Sequence, residues 1–385
     1  MGLKSLFSAI KKQFIAQKDS KEVILESEPK ELYLADVAQE QVEVEFCELC
    51  DGQLKWSGVE RLSNQHYYPF SNWKSAAKPI YCYRLQNVVL DVYYKVFFKD
   101  NRTIVNSSHF INGELLRSLS VHSDRLIIHE DQESVFCCFD HWEDNYFHWL
   151  AHAIPAFYAA KQSGIQGKYL IPMELTSWQQ RTLELLGIEL SQCLKVKKDQ
   201  QYFFLSLIYY ELATGEADFI DSKLSVQAYE AMVETVKIPV TPELCHDKIY
   251  ISRANKEHRH LSNEGELIEL LEARGYFILD PEKYSIDEQI IIFQQANIVV
   301  ALLGAGLSNI AFCKPNTIIY ELIPSHHDNP CFLTMSLQGQ LRYWADKFDT
   351  GVDHNQPDHL SAWVNRLDID FVSKRLDELE EFITE

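Results

Sequence analysis

The sequence predicts an α/β protein: a β-rich N-terminal portion, then two Rossmann-like α/β domains facing across a cleft. Three observations carry this. From residue 135 onward, short apolar runs alternate with amphipathic stretches of roughly ten residues, the pattern of parallel strands joined by crossover helices. The pattern runs twice, interrupted at Ile238-Pro-Val-Thr-Pro242, whose two prolines suit a linker. The 385 residues suffice for two domains of ordinary size.

Taken in order, residues 1–21 hold five lysines against the single acid Asp19. Leu3, Leu6, Phe7, Ile10, Phe14 and Ile15 recur at helical spacing, so the segment predicts a basic amphipathic helix. Such a helix suits peripheral contact with an anionic membrane, and equally suits packing on the protein's own body. A secretory signal would carry a longer uncharged apolar region, and Leu6 stands where a myristoylation signal has Ser or Thr. No run approaches the roughly 20 apolar residues of a membrane span.

Residues 22–240 form the N-terminal domain. Val42–Phe46 alternates as an exposed strand, and residues 87–135 read as β-rich with hairpins, Asn112-Gly113 being one turn signal. Val135–Phe139 is a buried strand and Asn145–Gln162 a helix closed by Gly164. Tyr169–Pro172 is a strand, and Thr176 to Gln179 is a capping box that opens a helix ending at Gly187. Tyr202–Tyr210 is a strand and Ser222–Val236 a helix.

Residues 241–350 form the C-terminal domain. Lys248–Ser252, Tyr276–Leu279, Ile298–Leu302 and Thr317–Leu322 are strands, with helices over Asn263–Arg274 and Ile286–Ala296. In 351–385, Leu360–Val364 and Phe371–Phe382 are helical.

Charge narrows the function. With 36 basic and 56 acidic residues, the net charge of −20 argues against binding a nucleic acid backbone. A local anion held by a few arginines remains compatible. Nine scattered cysteines in a chain without a secretory signal read as reduced thiols of a cytoplasmic protein, and the lone Cys47-x-x-Cys50 is half a zinc site.

Ligands of parallel sheets bind beyond the carboxyl ends of the strands, and three segments of unusual composition fall there. Gly304-Ala305-Gly306-Leu307-Ser308-Asn309 follows strand Ile298–Leu302 and precedes a helix expected near Ser308. Glycines let backbone N–H groups approach an anion such as a diphosphate; a plain tight turn has the same composition. Arg253 ends a strand, and Arg259 and Asn263-Glu264 follow. Guanidinium forks suit phosphate oxygens, or surface salt bridges. Third, Asp140 to His152 carries Asp144, Asn145, His148, Trp149 and His152, with Asn145, His148 and His152 on one helical face. A proton-exchanging site, a metal site and core histidines are the alternatives.

In this order and spacing the segments resemble glycosyltransferase family 61, over about residues 135–325. Asn145-Tyr146-Phe147-His148-Trp149 is similar to the family's Asn-aromatic-aromatic-His-Trp helix start. Ser252-Arg253, Arg259 and Asn263-Glu264 match its strand-end arginines, and Gly304 to Asn309 its Gly-Ala-Gly-Leu-Thr/Ser-Asn loop. Leu303 stands where many members have His, and His152 and Ala156 where the helix often has Asp and Arg. The resemblance implies a GT-B fold and an inverting glycosyltransferase, with a nucleotide-diphosphate sugar as co-substrate and a glycan or other hydroxyl acceptor. It implies an acceptor-side N-terminal domain and a donor domain at 241–350. Arg253, Arg259, Gly304, Ala305, Gly306, Leu307, Asn309 and Glu321 would bind donor, Glu321 at a strand end taking ribose hydroxyls. His148, with Asp144 second, would be the base, and Asn145, Trp149, His152, Asn263 and Glu264 would line the acceptor side or cleft. No cofactor and no essential metal are expected. The competing expectations are a non-catalytic nucleotide-sugar binder and a histidine-site metallohydrolase.

Overall fold

A computed structural model describes residues 31–47, 78–107, 113–129, 133–140, 143–211, 222–256, 260–324, 329–348 and 364–384. The basic stretch 1–21, Cys50, Asn112 and Arg259 lie outside the described residues. The chain divides into two compact units, one from residues within 1–46 and 79–212, the other from residues within 47–78 and 213–385. The helix Lys223–Thr235, expected in the N-terminal domain, falls in the second unit, where Tyr229 meets the Phe312 ring edge-on at 6.0 Å.

The first unit is built on a mixed sheet. Its strands are β1 (Glu40–Cys47), β2 (Lys78–Asp91), β3 (Val96–Lys99), β4 (Arg102–Thr103), β5 (Leu126–Ile128), β6 (Ser134–Cys137), β7 (Gly167–Pro172), β8 (Cys193–Val196) and β9 (Gln201–Tyr210). The order is β4-β3-β2-β9-β6-β7-β8, with β1 on β2 and β5 on β9. The hairpin β3–β4 turns at Asp100-Asn101, both at positive φ (49° and 61°), which matches the right-handed twist of its strands. Gly113, expected in a hairpin turn, instead opens the short helix Gly113–Ser118. β9, β6, β7 and β8 pair in parallel, with helices between β6 and β7 and between β7 and β8 and with β9 returning beside β6. The predicted capping box forms: Thr176 accepts from the Gln179 amide and Gln179 reaches back to the Thr176 N–H.

The predicted helix Asn145–Gln162 is three pieces. Tyr146–His148 is α-helical, Trp149–Ala153 is a π turn and Ile154–Gln162 is α-helical again. Pro155 has no N–H to return to Ala151, so the ladder is interrupted there and the turn ahead of it widens.

The second unit is a five-stranded, all-parallel sheet of β10 (Lys248–Ile251), β12 (Phe277–Leu279), β13 (Ile298–Leu302), β14 (Ile318–Pro324) and β15 (Arg342–Phe348). The order β12-β10-β13-β14-β15 is 2-1-3-4-5 in chain sequence, a doubly wound sheet whose direction of winding reverses between β10 and β13. Tyr250, Val300, Tyr320 and Trp344 bury one face under the helices Glu264–Ala273 and Ile369–Thr384. That last helix is anchored by Arg375, which places two guanidinium nitrogens 2.9 and 3.0 Å from the Asp346 carboxylate. A small parallel pair joins β11 (His260–Leu261) to β16 (Val364–Asn365), so Val364 is extended where a helix is expected. No helix among the described residues is long and apolar enough to cross a membrane.

Candidate active site

In the second unit the site sits where the strand order reverses. Ile251 pairs with Ala301 in the register of β10 and β13, so the segments leaving these strands start side by side. Loops from such strands run to opposite faces and leave a crevice at their carboxyl ends, the place where this class of sheet binds nucleotides. Arg253 leaves β10 and Gly304 leaves β13. A Cβ built on Gly304 would overlap the Arg253 guanidinium. Any side chain at 304 therefore requires the Arg253 guanidinium to move; the φ of 171° is extended backbone open to all residues.

Gly306 is less constrained. A Cβ there would meet Ile251 Cγ2 at 3.4 Å and Pro281 Cγ at 3.8 Å, ordinary contacts. The expected helix at Ser308 begins earlier, as a 3-10 helix over Ala305–Phe312. Its ladder starts with Leu307 N–H donating to Gly304 O at 2.9 Å, so the amides of Ala305 and Gly306 stand outside it. Leu307 and Asn309 are buried, so they hold the loop rather than face a ligand. Asn309 Nδ2 donates to Gln289 Oε1 at 2.9 Å, while Gln289 Nε2 donates to the carbonyls of Pro281 and Tyr284. Gln289 thus ties the Gly-Ala-Gly loop to its neighbour, a role the sequence does not announce.

Asn263 and Glu264, expected on the acceptor side or cleft, are buried and engaged within the second unit. Glu264 Oε1 accepts from Tyr250 Oη at 3.0 Å, Ser252 Oγ at 2.9 Å and the Arg253 N–H at 2.7 Å. Asn263 binds the backbone of Leu367. Glu321 also departs from expectation. β14 continues to Pro324, which puts Glu321 mid-strand and fully buried, accepting from Tyr343 Oη at 2.5 Å. Burial pushes its carboxyl up to about 8, against the opposing Tyr343 hydrogen bond. Glu321 therefore does not stand at an open strand end, the position expected of a ribose contact.

In the first unit, Asp140 follows β6, and His148 and His152 lie one turn apart across the π segment. His152 Nδ1 stands 3.0 Å and His148 Nδ1 3.3 Å from the same oxygen, Asp140 Oδ2. The two imidazole centroids are 5.0 Å apart. Burial pushes the Asp140 carboxyl up, but the two imidazoles outweigh it and hold it well below the usual carboxylate range. His152 is fully buried and His148 keeps 14% of its side-chain surface. Asp140, His148 and His152 are also the described residues able to hold a metal ion, their ligand atoms lying within 4.8 Å of one another.

The remaining predicted residues separate from this cluster. Asp144 is 73% exposed and pairs with Lys198 at 2.7 Å. Asn145 is the N-cap of the helix, accepting from Phe147 N–H at 2.9 Å. Trp149, expected in the cleft, is a core residue whose Nε1 donates to Thr182 Oγ1 at 2.9 Å. Gln179, one helical turn earlier, donates to Glu143 O, so the helix Ser177–Leu185 grips the segment at both ends. Glu143 in turn forms a buried pair with Lys95 at 3.2 Å.

Comparison with known proteins agrees with these segments. The Glycosyltransferase 61 family model matches residues 146–320, which shows the family resemblance over that stretch. The match spans His148, Arg253, Glu264 and Gly304 and starts just after Asp140. The enzyme class that goes with the family is sugar transfer, with a sugar donor and an acceptor as substrates. No curated protein sequence matches the chain.

Proposed function

We propose that this chain, with a family 61 glycosyltransferase segment at its centre, moves a sugar from a nucleotide-diphosphate sugar to a hydroxyl acceptor. We take it to do so with inversion, as a GT-B-type enzyme of glycan or polysaccharide synthesis. The observation that carries the reading is the Arg253 guanidinium packed on Gly304 at the reversal point of the parallel sheet. A fixed cation and the amides of Ala305 and Gly306 suit a diphosphate, with Arg259 a further cation from the same segment.

The anomeric carbon gains a bond to the acceptor oxygen and loses its bond to the diphosphate, which leaves with the electron pair. Fixed positive charge on the leaving diphosphate stabilises it, so no divalent ion is required. The acceptor proton goes to His148. Its Nδ1–H points at the ionised Asp140, the tautomer assigned from that contact, which makes Nε2 the basic nitrogen. The basic amphipathic stretch 1–21 suits work at an anionic cytoplasmic membrane face on an acceptor held there.

A second reading is favoured by one observation. Two imidazoles and a carboxylate converge as metal ligands do, and a metallohydrolase would use them so.

The test is a panel of nucleotide sugars screened by thermal shift on the full chain, followed by product analysis with glycan acceptors. The transferase reading expects one donor to raise Tm and, with acceptor, to yield nucleoside diphosphate and a product of inverted anomeric configuration. Stoichiometric zinc in the purified protein, with no donor stabilising it, would favour the metallohydrolase.

A further inference from the structure

We infer that Glu264 is the positioning residue of the diphosphate site, holding Arg253 in place through its backbone, and that the C-terminal segment 364–384 braces it. This rests on the donor reading above.

An arginine at a strand end has a long, rotatable stem, so the placement of its guanidinium begins with the backbone that carries it. Here Ser252 N–H donates to Leu279 O and Lys256 N–H to Arg253 O, both at 2.9 Å, and the Arg253 N–H itself is held by one side-chain atom. Glu264 Oε1 takes the Arg253 N–H, the hydroxyl of the preceding Ser252, and the phenol of Tyr250 within β10. Its second oxygen has no hydrogen-bond partner among the described residues, so the whole tie runs through Oε1. The carboxylate is 4% exposed, and charge-assisted hydrogen bonds in such a setting are short and directional.

Glu264 is itself held from the far side. It opens the helix Glu264–Ala273, and its neighbour Asn263 exchanges two hydrogen bonds with Leu367, each 3.0 Å. Leu367 lies in the core beneath the helix Ile369–Thr384, which Arg375 locks to Asp346 of β15. The C-terminal segment, beyond the family-matched residues, therefore fixes the helix start, and the helix start fixes Arg253. At the other end the guanidinium fills the space a Cβ on Gly304 would need. A shift of the Ser252-Arg253 turn moves the anchor from which the guanidinium reaches Gly304.

The experiment titrates pyrophosphate and uridine diphosphate into the full chain as wild type, Arg253→Ala, Glu264→Gln and the double variant. Glu264→Gln is expected to weaken binding about tenfold, and to cost nothing further once Arg253 is gone, since its effect passes through that residue. Wild-type affinity in Glu264→Gln overturns the inference. So does an equal loss in both backgrounds, which marks a general structural role. If Glu264→Gln does not fold, Ser252→Ala and Tyr250→Phe each remove one donor to Oε1. Each is then expected to weaken binding a few-fold, about the worth of one hydrogen bond, and only when Arg253 is present. Unchanged affinity in both overturns the inference. A wild-type chain that binds neither probe removes the donor reading, and this inference with it.

Discussion

The two units build their sites in opposite ways. The histidine cluster of the first is local in sequence: Asp140, His148 and His152 belong to one strand end and the helix that follows it. The site of the second is assembled across the sheet, from a turn after β10, the start of a helix and a loop after β13. A local cluster is placed by one helical turn. A distributed one needs the whole strand order, including a C-terminal helix far from the glycines in sequence. The first is therefore a question of chemistry and the second a question of scaffolding, and variants separate the two.

The largest effect is expected at His148. General-base catalysis contributes about a hundred- to ten-thousand-fold, so His148→Ala should lower turnover by that factor while donor affinity stays. Turnover within a few-fold of wild type would make the cluster structural and break the comparison on the first unit's side. Next comes Arg253. A charge-assisted contact to a diphosphate is worth about 1.5–3 kcal/mol, so Arg253→Ala should weaken nucleotide affinity roughly ten- to a hundredfold. Here the donor affinity moves and the folded state does not, which a comparison of Kd and Tm reads directly.

A third effect concerns stability and leaves both sites untouched. Glu321 is raised by burial from 4.5 to about 8 in the folded chain. The folded state keeps its proton over that interval while the unfolded state loses it, so stability is fully present below pH 4.5. It falls by about 1.4 kcal/mol per pH unit from there to about 8. Glu321→Gln carries no such proton. Its Tm should lie close to wild type near pH 4.5 and above it at pH 8; parallel Tm curves across that range would contradict the buried, neutral assignment.

Much of the fold was legible because its signals are local. The Thr176 capping box, the strand Ile298–Leu302 and the glycine stops at Gly187 and Gly275, with φ of 68° and 79°, follow from short-range chemistry. The misplaced residues share one cause, that burial is a tertiary property. Trp149 follows a helix start and reads as a cleft residue, yet Thr182 from the next helix encloses its indole. Glu321 reads as a strand end because the apolar run Thr317–Leu322 stops just after it, yet β14 runs on to Pro324 and Tyr343 of β15 covers the carboxylate. Asp140 was visible as a residue but not as a partner, since a strand-end carboxylate meets two imidazoles only once the π turn is formed. Gln289 carries no motif, and only the packed loop reveals it.

The central claim is that Arg253 seated on Gly304 forms the diphosphate site. The measurement that tests it most directly is nucleoside diphosphate affinity in Gly304→Ala beside Gly306→Ala, by calorimetry on the full chain. At 304 a methyl group displaces the guanidinium, whereas at 306 it makes ordinary contacts with Ile251 and Pro281. The account predicts that Gly304→Ala loses binding about as far as Arg253→Ala does, roughly tenfold or more, with Gly306→Ala within a few-fold of wild type. Wild-type affinity in Gly304→Ala, or a greater loss in Gly306→Ala, would contradict it.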